Sequence, residues 1–550
     1  MRFVGSRERE VTVRVGGGTW LPTLAVVSAG AALRLWGSGG WWLNPDEGIY
    51  WATVTRDRFA DFWGEAMATA HPPLYFLLLR AMALVSTDFD WLRSLALVSG
   101  VATIYVLVLL GREIGGAGRR GLATGLASGL LVALSPRAVA LSQVVRPYAL
   151  LLLLLASALY LLLRSMREPS RGALAGYALS TSLALTLHYS AVLALGVFGA
   201  LVLARGATSG FRKAEWRRLA WVQLAPALTL VGMYAWHLRG LVASDMAGYA
   251  LDGWLSSYLI RDVADVWLGV VGAHSSLVGD PLAAAATLVT VAGLVWAASV
   301  REWRVVTLGA AAVLLAVLAA ALGAYPIGAS RHAAWLLVFL TPVLAWTLMS
   351  ALTLPVRLRA AALAIGALLI VGMRPLSAVL DSERRPREIS ERVLRVEHVE
   401  AMAQTLAPET GPRLLIMSTE TYTLLSPLYR AERQRAEATR DRSLLRLRWG
   451  RRDVLVFSDR DFLALPQDTS RANHLLTVAR QGAERLGVTP PGDGEHVLVL
   501  AGGWRSQGVE DLIELAQTAP GLGTSTHVPG LIAVELDFTA YRRALGLGDS

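Results

Sequence analysis

The 550-residue chain contains no cysteine. That excludes disulfides, thiolate metal sites and a cysteine nucleophile, and it leaves the compartment open. Charge is scarce as well. Asp, Glu, Lys and Arg make up 17% of the residues, against roughly 25% in a soluble globular protein. Lysine is all but missing, Lys213 being the single one. Walker A, zinc-protease and Gly-x-Ser-x-Gly patterns are absent, and no internal repeat or low-complexity tract is visible. Gly116-Ala117-Gly118-Arg119-Arg120-Gly121 matches a dinucleotide fingerprint as a string. It lacks the strand before it and the acidic residue about 20 positions on, so it reads as a short loop.

What fills the chain is apolar: 54% hydrophobic residues, with mean hydropathy +0.46. Many segments reach or approach the ~20 apolar residues that a spanning helix needs. The first, residues 21–35, has no small-residue cleavage site behind a short core and reads as a retained span. Basic charge is uneven. Residues 1–380 hold 30 Lys and Arg against 18 Asp and Glu, and residues 381–550 hold 22 against 24. The excess lies in short loops: the N-terminus and residues 112–120, 164–171, 205–218, 301–304 and 357–359. This is the positive-inside pattern, and it gives no support for nucleic-acid binding. It predicts a polytopic α-helical membrane protein with about eleven spans. The N-terminus is then cytoplasmic and the C-terminus outside. Residues 72–86 look helical, but counting them as a span would invert every later loop, so a re-entrant or interfacial helix is expected there.

From about residue 381 the apolar runs shorten to strand length: residues 414–417, 454–457, 497–500 and 531–536. Helical patterns at 390–406 and 509–517 alternate with them. A small α/β domain with a largely parallel sheet is expected outside the membrane, tethered by residues 382–387. The division is thus 1–380 for a membrane domain and 381–550 for an extracytoplasmic one.

On this topology the unusual polar residues collect on the outer face: Asp46-Glu47, His71 and Tyr75, Arg93, Arg146-Pro147-Tyr148, His188-Tyr189, a long loop at 237–280, and Arg331-His332. Charge at a membrane face in so apolar a chain points to chemistry. Asp46-Glu47 could supply a general base or hold a divalent cation such as Mg or Mn. The plainer reading is a solvated turn, which Asn-Pro-Asp favours. Arg146 and Arg331 each sit at a span end, where a guanidinium either binds phosphate bidentately or snorkels to headgroups. Arg34 and Arg93 fit snorkelling or structural pairing better. His71, His188 and His332 suit phosphate binding, proton transfer or metal binding, although a lone His is more often structural. Trp41, Trp42, Tyr50 and Trp51 read as an interfacial aromatic belt sooner than as a sugar platform.

A first span, then Asp46-Glu47, then His71-Pro72-Pro73-Leu74-Tyr75, then Trp91-Leu92-Arg93-Ser94-Leu95 opening the next span, resembles the GT-C class of membrane glycosyltransferases. The likeness is to the branch with protein O-mannosyltransferases, the aminoarabinose transferase of lipid A and bacterial core-sugar transferases. Arg146-Pro147-Tyr148 and Ser330-Arg331-His332 extend it, over roughly residues 19–350. The resemblance implies a cell-envelope hexosyl- or pentosyltransferase in the bacterial inner membrane. It would use a polyprenyl-phosphate sugar donor and an outer-face glycan, lipid or protein acceptor. It implies Asp46 as the catalytic carboxylate, with Glu47 orienting it or sharing a metal. Arg146, Arg331 and His71 are expected at the donor phosphate. Tyr75, Tyr148, His188, Tyr189 and His332 are expected near substrate. His71 is often Lys in the aminoarabinose branch, so this chain leans away from that one. Physical logic agrees: nucleotide sugars stay in the cytosol, so an outer-face transferase needs a lipid-carried donor. A transporter or flippase of a lipid-linked sugar is the other reading. It would place ionisable groups near the midplane of repeated halves, and neither feature is seen.

Overall fold

The computed structural model describes residues 20–209, 213–242, 256–373, 394–438, 444–457, 488, 496–502 and 525–537. Helices come first: α1 Trp20–Leu35, α2 Pro45–Val54, α3 Phe59–Ala68, α4 Leu74–Ala83, α5 Phe89–Gly115, α6 Gly118–Leu134, α7 Pro136–Leu141, α8 Tyr148–Arg167, α9 Arg171–Leu187, α10 Ala191–Ser209 and α11 Lys213–Met233. Val263–Val278, Asp280–Ser299, Trp303–Ala321, Leu337–Ala351 and Val356–Gly372 follow. The chain is a polytopic α-helical membrane protein. Among the described residues, seven helices are long and apolar enough to cross a bilayer, and three shorter apolar ones are Trp20–Leu35, Leu74–Ala83 and Val263–Val278. In the most apolar 18-residue window of Arg331–Ala351, 94% of the residues are buried inside the protein, against 17% in that of Ala214–Leu241. The first is therefore the axis of the bundle, and the second lies at its periphery.

α4 has ten residues, a rise of about 15 Å, half of a bilayer core. It cannot span alone and packs against α2, α5 and α9. The stretch expected as a long loop at 237–280 holds the helix Val263–Val278. Asp262 and Asp265 cap it reciprocally, each accepting the other's backbone N–H. This capping box is a sequence signal that the apolar-run count passed over.

The two ends of the bundle differ. At one end Glu113 of α5 pairs with Arg167 of α8 at 3.1 Å and with Arg304 at 3.9 Å. This end also holds the α5–α6 connection, where Gly116 and Gly118 take φ of 82° and 77°. The glycine string there serves a tight helix–helix turn. The other end gathers the segments 44–50, 71–75, 142–148, 188–190 and 325–332.

The chain closes with a seven-stranded sheet in the order β2-β3-β4-β1-β5-β7-β6. The strands are β1 Leu414–Ser418, β2 Glu437–Ala438, β3 Leu444–Trp449, β4 Arg452–Phe457, β5 His496–Gly502, β6 Ser525–Val528 and β7 Leu531–Asp537. Only β1 runs parallel to its neighbours, β4 and β5; the other pairings are antiparallel. The expected largely parallel sheet is thus corrected. Two of the four antiparallel pairings come from tight hairpins, β3–β4 across Gly450 at φ 59° and β6–β7 across Gly530 at φ 86°. Two-residue loops join antiparallel strands only. The expected helical pattern is seen at Val396–Ala401 and Ala403–Leu406. The 509–517 pattern and the 382–387 tether lie outside the described residues.

The sheet unit packs on α2 and α3. Trp42 Nε1 donates to the Leu424 carbonyl at 2.8 Å. Arg433 donates to the Ala52 carbonyl and pairs with Glu65 at 3.2 Å. A Cβ on Gly48 would lie 2.1 Å from the Thr423 carbonyl oxygen, so α2 approaches this unit as closely as a glycine permits. Burial overturns the aromatic-belt reading for Trp42, Tyr50 and Trp51, which are 9%, 2% and 4% exposed. The sheet unit covers Trp42, whereas Tyr50 packs on Tyr75 and Phe76 of α4 and Trp51 Nε1 donates to the Thr87 carbonyl at 3.0 Å.

Candidate active site

The site begins with a helix start. Asn44 caps α2, Pro45 occupies the first turn, and Glu47 completes a capping box. The Glu47 N–H donates to Asn44 Oδ1 at 2.8 Å, and the Asn44 N–H donates to Glu47 Oε2 at 3.0 Å. Proline with fixed φ suits this place. Asp46 is thereby held at a helix N-terminus, where the dipole favours an anion.

The two acids part company from there. Glu47 is fully buried. Arg93 grips it bidentately, Nε to Oε1 and Nη2 to Oε2, each at 3.0 Å. Its Oε1 also accepts the Val145 N–H at 2.7 Å. Glu47 therefore staples α2 to α5 and to the segment bearing Arg146. Asp46, one residue earlier, faces outward with its side chain 22% exposed. Arg146 Nη1 reaches its Oδ2 at 2.8 Å, and Arg331 Nη2 reaches the same oxygen at 2.6 Å. Residues 46, 146 and 331, far apart in sequence, meet at one carboxylate. Burial pushes the Asp46 pKa up, but the facing guanidiniums of Arg146 and Arg331 outweigh it and leave the pKa below its ordinary 3.8. Asp46 is thus an anion at neutral pH.

Aromatic and imidazole rings surround this triad. The Arg146 guanidinium lies 5.7 Å above the Tyr50 ring and 5.6 Å above Tyr148. Tyr50 sits 5.4 Å from Tyr75 and 5.9 Å from His71. His71 lies 5.4 Å from His188, His188 lies 5.0 Å from Tyr148, and His332 lies 6.1 Å from Tyr148. Burial, then neighbouring His188 and Arg146, holds His71 well below the ordinary imidazole range. Burial and the two arginines lower His188 to about 3. Both are neutral at pH 7.

Of the residues singled out from sequence, Asp46, Arg146, Arg331, His71, Tyr75, Tyr148, His188 and His332 share this region. Tyr189 turns away. Its hydroxyl bonds to His237 Nδ1, and His237 Nε2 meets the Met67 carbonyl at 3.1 Å. Tyr50 and Tyr325 belong to the cluster and were missed, the first as a supposed belt residue, the second for want of any motif. Tyr325 lies 6.3 Å from His332. Arg34 is a packing residue: it is 1% exposed and donates to Ser142 and to the Gly30, Val132 and Ala133 carbonyls.

The acidic pair does not fit a divalent cation. Both Glu47 oxygens are committed, and Asp46 faces two guanidiniums that would repel a metal. Among the described residues no group of three His, Asp or Glu is placed to hold one.

Comparison with solved structures finds ArnT from Cupriavidus metallidurans in its apo state. The identity is 13%, the match covers 94% of this chain and 98% of that one, and the TM-score is 0.51. The same protein bound to undecaprenyl phosphate matches over the same shares at 13% identity, with a TM-score of 0.49. The oligosaccharyltransferase of Archaeoglobus fulgidus, in complex with Zn and sulfate, covers 71% of this chain and 55% of its own at 14% identity, with a TM-score of 0.46. No protein-family profile and no curated protein sequence matches. At this identity the likeness is one of fold. The fold is that of ArnT, the GT-C fold, as the order of motifs led us to expect.

Proposed function

We propose that this chain is a membrane glycosyltransferase. It moves a sugar from a polyprenyl-phosphate donor to an envelope glycan, lipid or protein acceptor on the outer face of the bacterial inner membrane. The observation that carries the reading is the convergence of Arg146 and Arg331 on the Asp46 carboxylate at one end of an apolar bundle. Two guanidiniums suit a phosphodiester, and a carboxylate beside them suits an acceptor hydroxyl.

The chemistry balances as follows. The acceptor oxygen attacks the anomeric carbon, and the bond from that carbon to the phosphate oxygen breaks. The electron pair leaves with the polyprenyl phosphate, and the hydroxyl proton passes to Asp46. Arg146 and Arg331 stabilise the charge that grows on the leaving phosphate. Their attraction makes Asp46 a weak base while they face it alone. A bound phosphate draws on the same guanidiniums and so raises the basicity of Asp46 when substrate is present.

The enzyme and transporter readings separate in proteoliposomes holding the full-length chain. The enzyme cleaves its donor and releases free polyprenyl phosphate when acceptor is supplied. A flippase returns the donor intact. Donor translocated without cleavage, across a broad panel of sugars and acceptors, contradicts this proposal.

A further inference from the structure

Beside the Asp46 triad, the hydroxyls of Tyr50, Tyr75 and Tyr148 and Nε2 of His188 have no hydrogen-bond partner among the described residues. All four side chains are at most 3% exposed. An unpaired polar group in the interior costs about 1–3 kcal/mol, so a cluster of them marks a place where something else supplies the bonds. They form one group. Tyr50 touches Tyr75, Arg146 lies over both Tyr50 and Tyr148, and Tyr148 lies against His188. Beside the charged triad these four side chains are neutral, with aromatic faces and polar atoms that can donate or accept.

Charge decides what fits. Glu47 is spent on Arg93. That leaves two guanidiniums, Arg146 and Arg331, and one carboxylate, Asp46. A bound phosphodiester carries one negative charge and brings the sum to zero. His71 and His188 add none. A protonated amino sugar would find no acid left to pair with, and a uronate would add an unbalanced anion. An uncharged polyol matches the hydroxyls, the imidazole and the aromatic faces.

We infer that Tyr50, Tyr75, Tyr148 and His188 form the subsite for the transferred sugar ring, and that this subsite takes a neutral hexose or pentose. The inference rests on the donor-site reading given above. The test uses the full-length chain in proteoliposomes and a panel of donors on one polyprenyl chain: neutral hexoses and pentoses, a 4-amino-4-deoxypentose and a hexuronic acid. Initial release of polyprenyl phosphate is measured, together with inhibition by sugar-free polyprenyl phosphate. At least one neutral sugar should be used about tenfold or more faster than either charged one. Tyr75→Phe and Tyr148→Phe keep the rings and lose one hydroxyl each. Each should raise KM for the neutral donor about 3- to 10-fold, the size of one neutral hydrogen bond. Inhibition by sugar-free polyprenyl phosphate should stay as in the wild type. Equal or better use of a charged sugar overturns the inference while inhibition by polyprenyl phosphate upholds the donor site. Unchanged KM in both Phe variants overturns it too, since the hydroxyls then serve only solvent. If polyprenyl phosphate neither binds nor is released from any donor, the donor-site reading falls and takes this one with it.

Discussion

Asp46 is ionised, partly open to the outside and shared by two arginines, a combination that fits a base waiting for a phosphate to compete for its partners. The pH dependence follows from this. The Asp46 pKa in the free protein lies below 3.8, and the charged form is the active one. Its limb in kcat/KM, which reports the free enzyme, should therefore fall below that value, leaving the profile flat on the acid side from neutrality to about pH 5. The corresponding limb in kcat should lie higher, because a bound phosphate takes up the guanidiniums that lower the pKa. A kcat/KM limb near pH 6 would assign the base elsewhere. Arg331→Lys keeps the charge and loses the planar fork. It should weaken donor binding by about 10- to 150-fold, the size of one charged hydrogen bond, measured as KM or by competition. The sequence displayed Asp46-Glu47 as a pair but could not divide their labour. That division depends on Arg93, 46 residues away, and on a backbone N–H at Val145, and neither is visible as a pattern.

At the scale of elements, the Glu47–Arg93 pair links α2, α5 and the segment before α8. Sequence reading gave Glu47 a mild orienting part. Its burial makes it a structural staple instead. Glu47→Gln should cost up to about 3–5 kcal/mol, because it leaves the buried Arg93 with only the exposed Asp90, 3.6 Å away, as a charged partner. It should appear as a lowered melting temperature of the solubilised protein, along with any loss of activity. A melting temperature equal to wild type would remove the staple. A second staple, Tyr189–His237–Met67, ties the turn after α9 to the last turn of α3, just before the loop carrying His71. His237 lies in a π-helical turn, Tyr234–Leu238, and π-turns recur at functional sites. His237→Leu should raise KM for donor by several-fold with less effect on kcat, since it shifts the His71–His188 edge without touching the carboxylate. An unchanged KM would leave this contact as local packing. Helices were legible from apolar runs because burial in lipid or protein rewards them alike. The sheet's direction was not, because two of its antiparallel pairings are set by Gly450 and Gly530 in two-residue turns, which were overlooked beside the strand runs.

At the scale of the whole molecule, the basic loops and the Asp46 cluster lie at opposite ends of the bundle, and the sheet unit packs on the Asp46 end through Trp42, Gly48 and Arg433. If the positive-inside rule sets the orientation, the sheet unit is extracytoplasmic. A reporter active only outside the cytoplasm, fused after Ser550, should be active, and a cytoplasm-only reporter should be silent. The reverse pattern would invert the topology and move the site to the inner face. Charge in short loops made the separation of a basic end from the Asp46 end readable, because it depends on composition alone. The burial of Tyr50 and Trp51 was unreadable, because it is made by α4 and the turn that follows it, in contacts that no motif displays.

The account turns on Asp46 as the base beside a phosphate site, and one paired measurement on Asp46→Asn tests it most directly. Polyprenyl-phosphate binding and sugar transfer are measured on the same purified preparation. Binding should hold or tighten, since both guanidiniums are released from the carboxylate, while transfer should fall by about 100- to 10,000-fold. Transfer at the wild-type rate in Asp46→Asn would contradict the account.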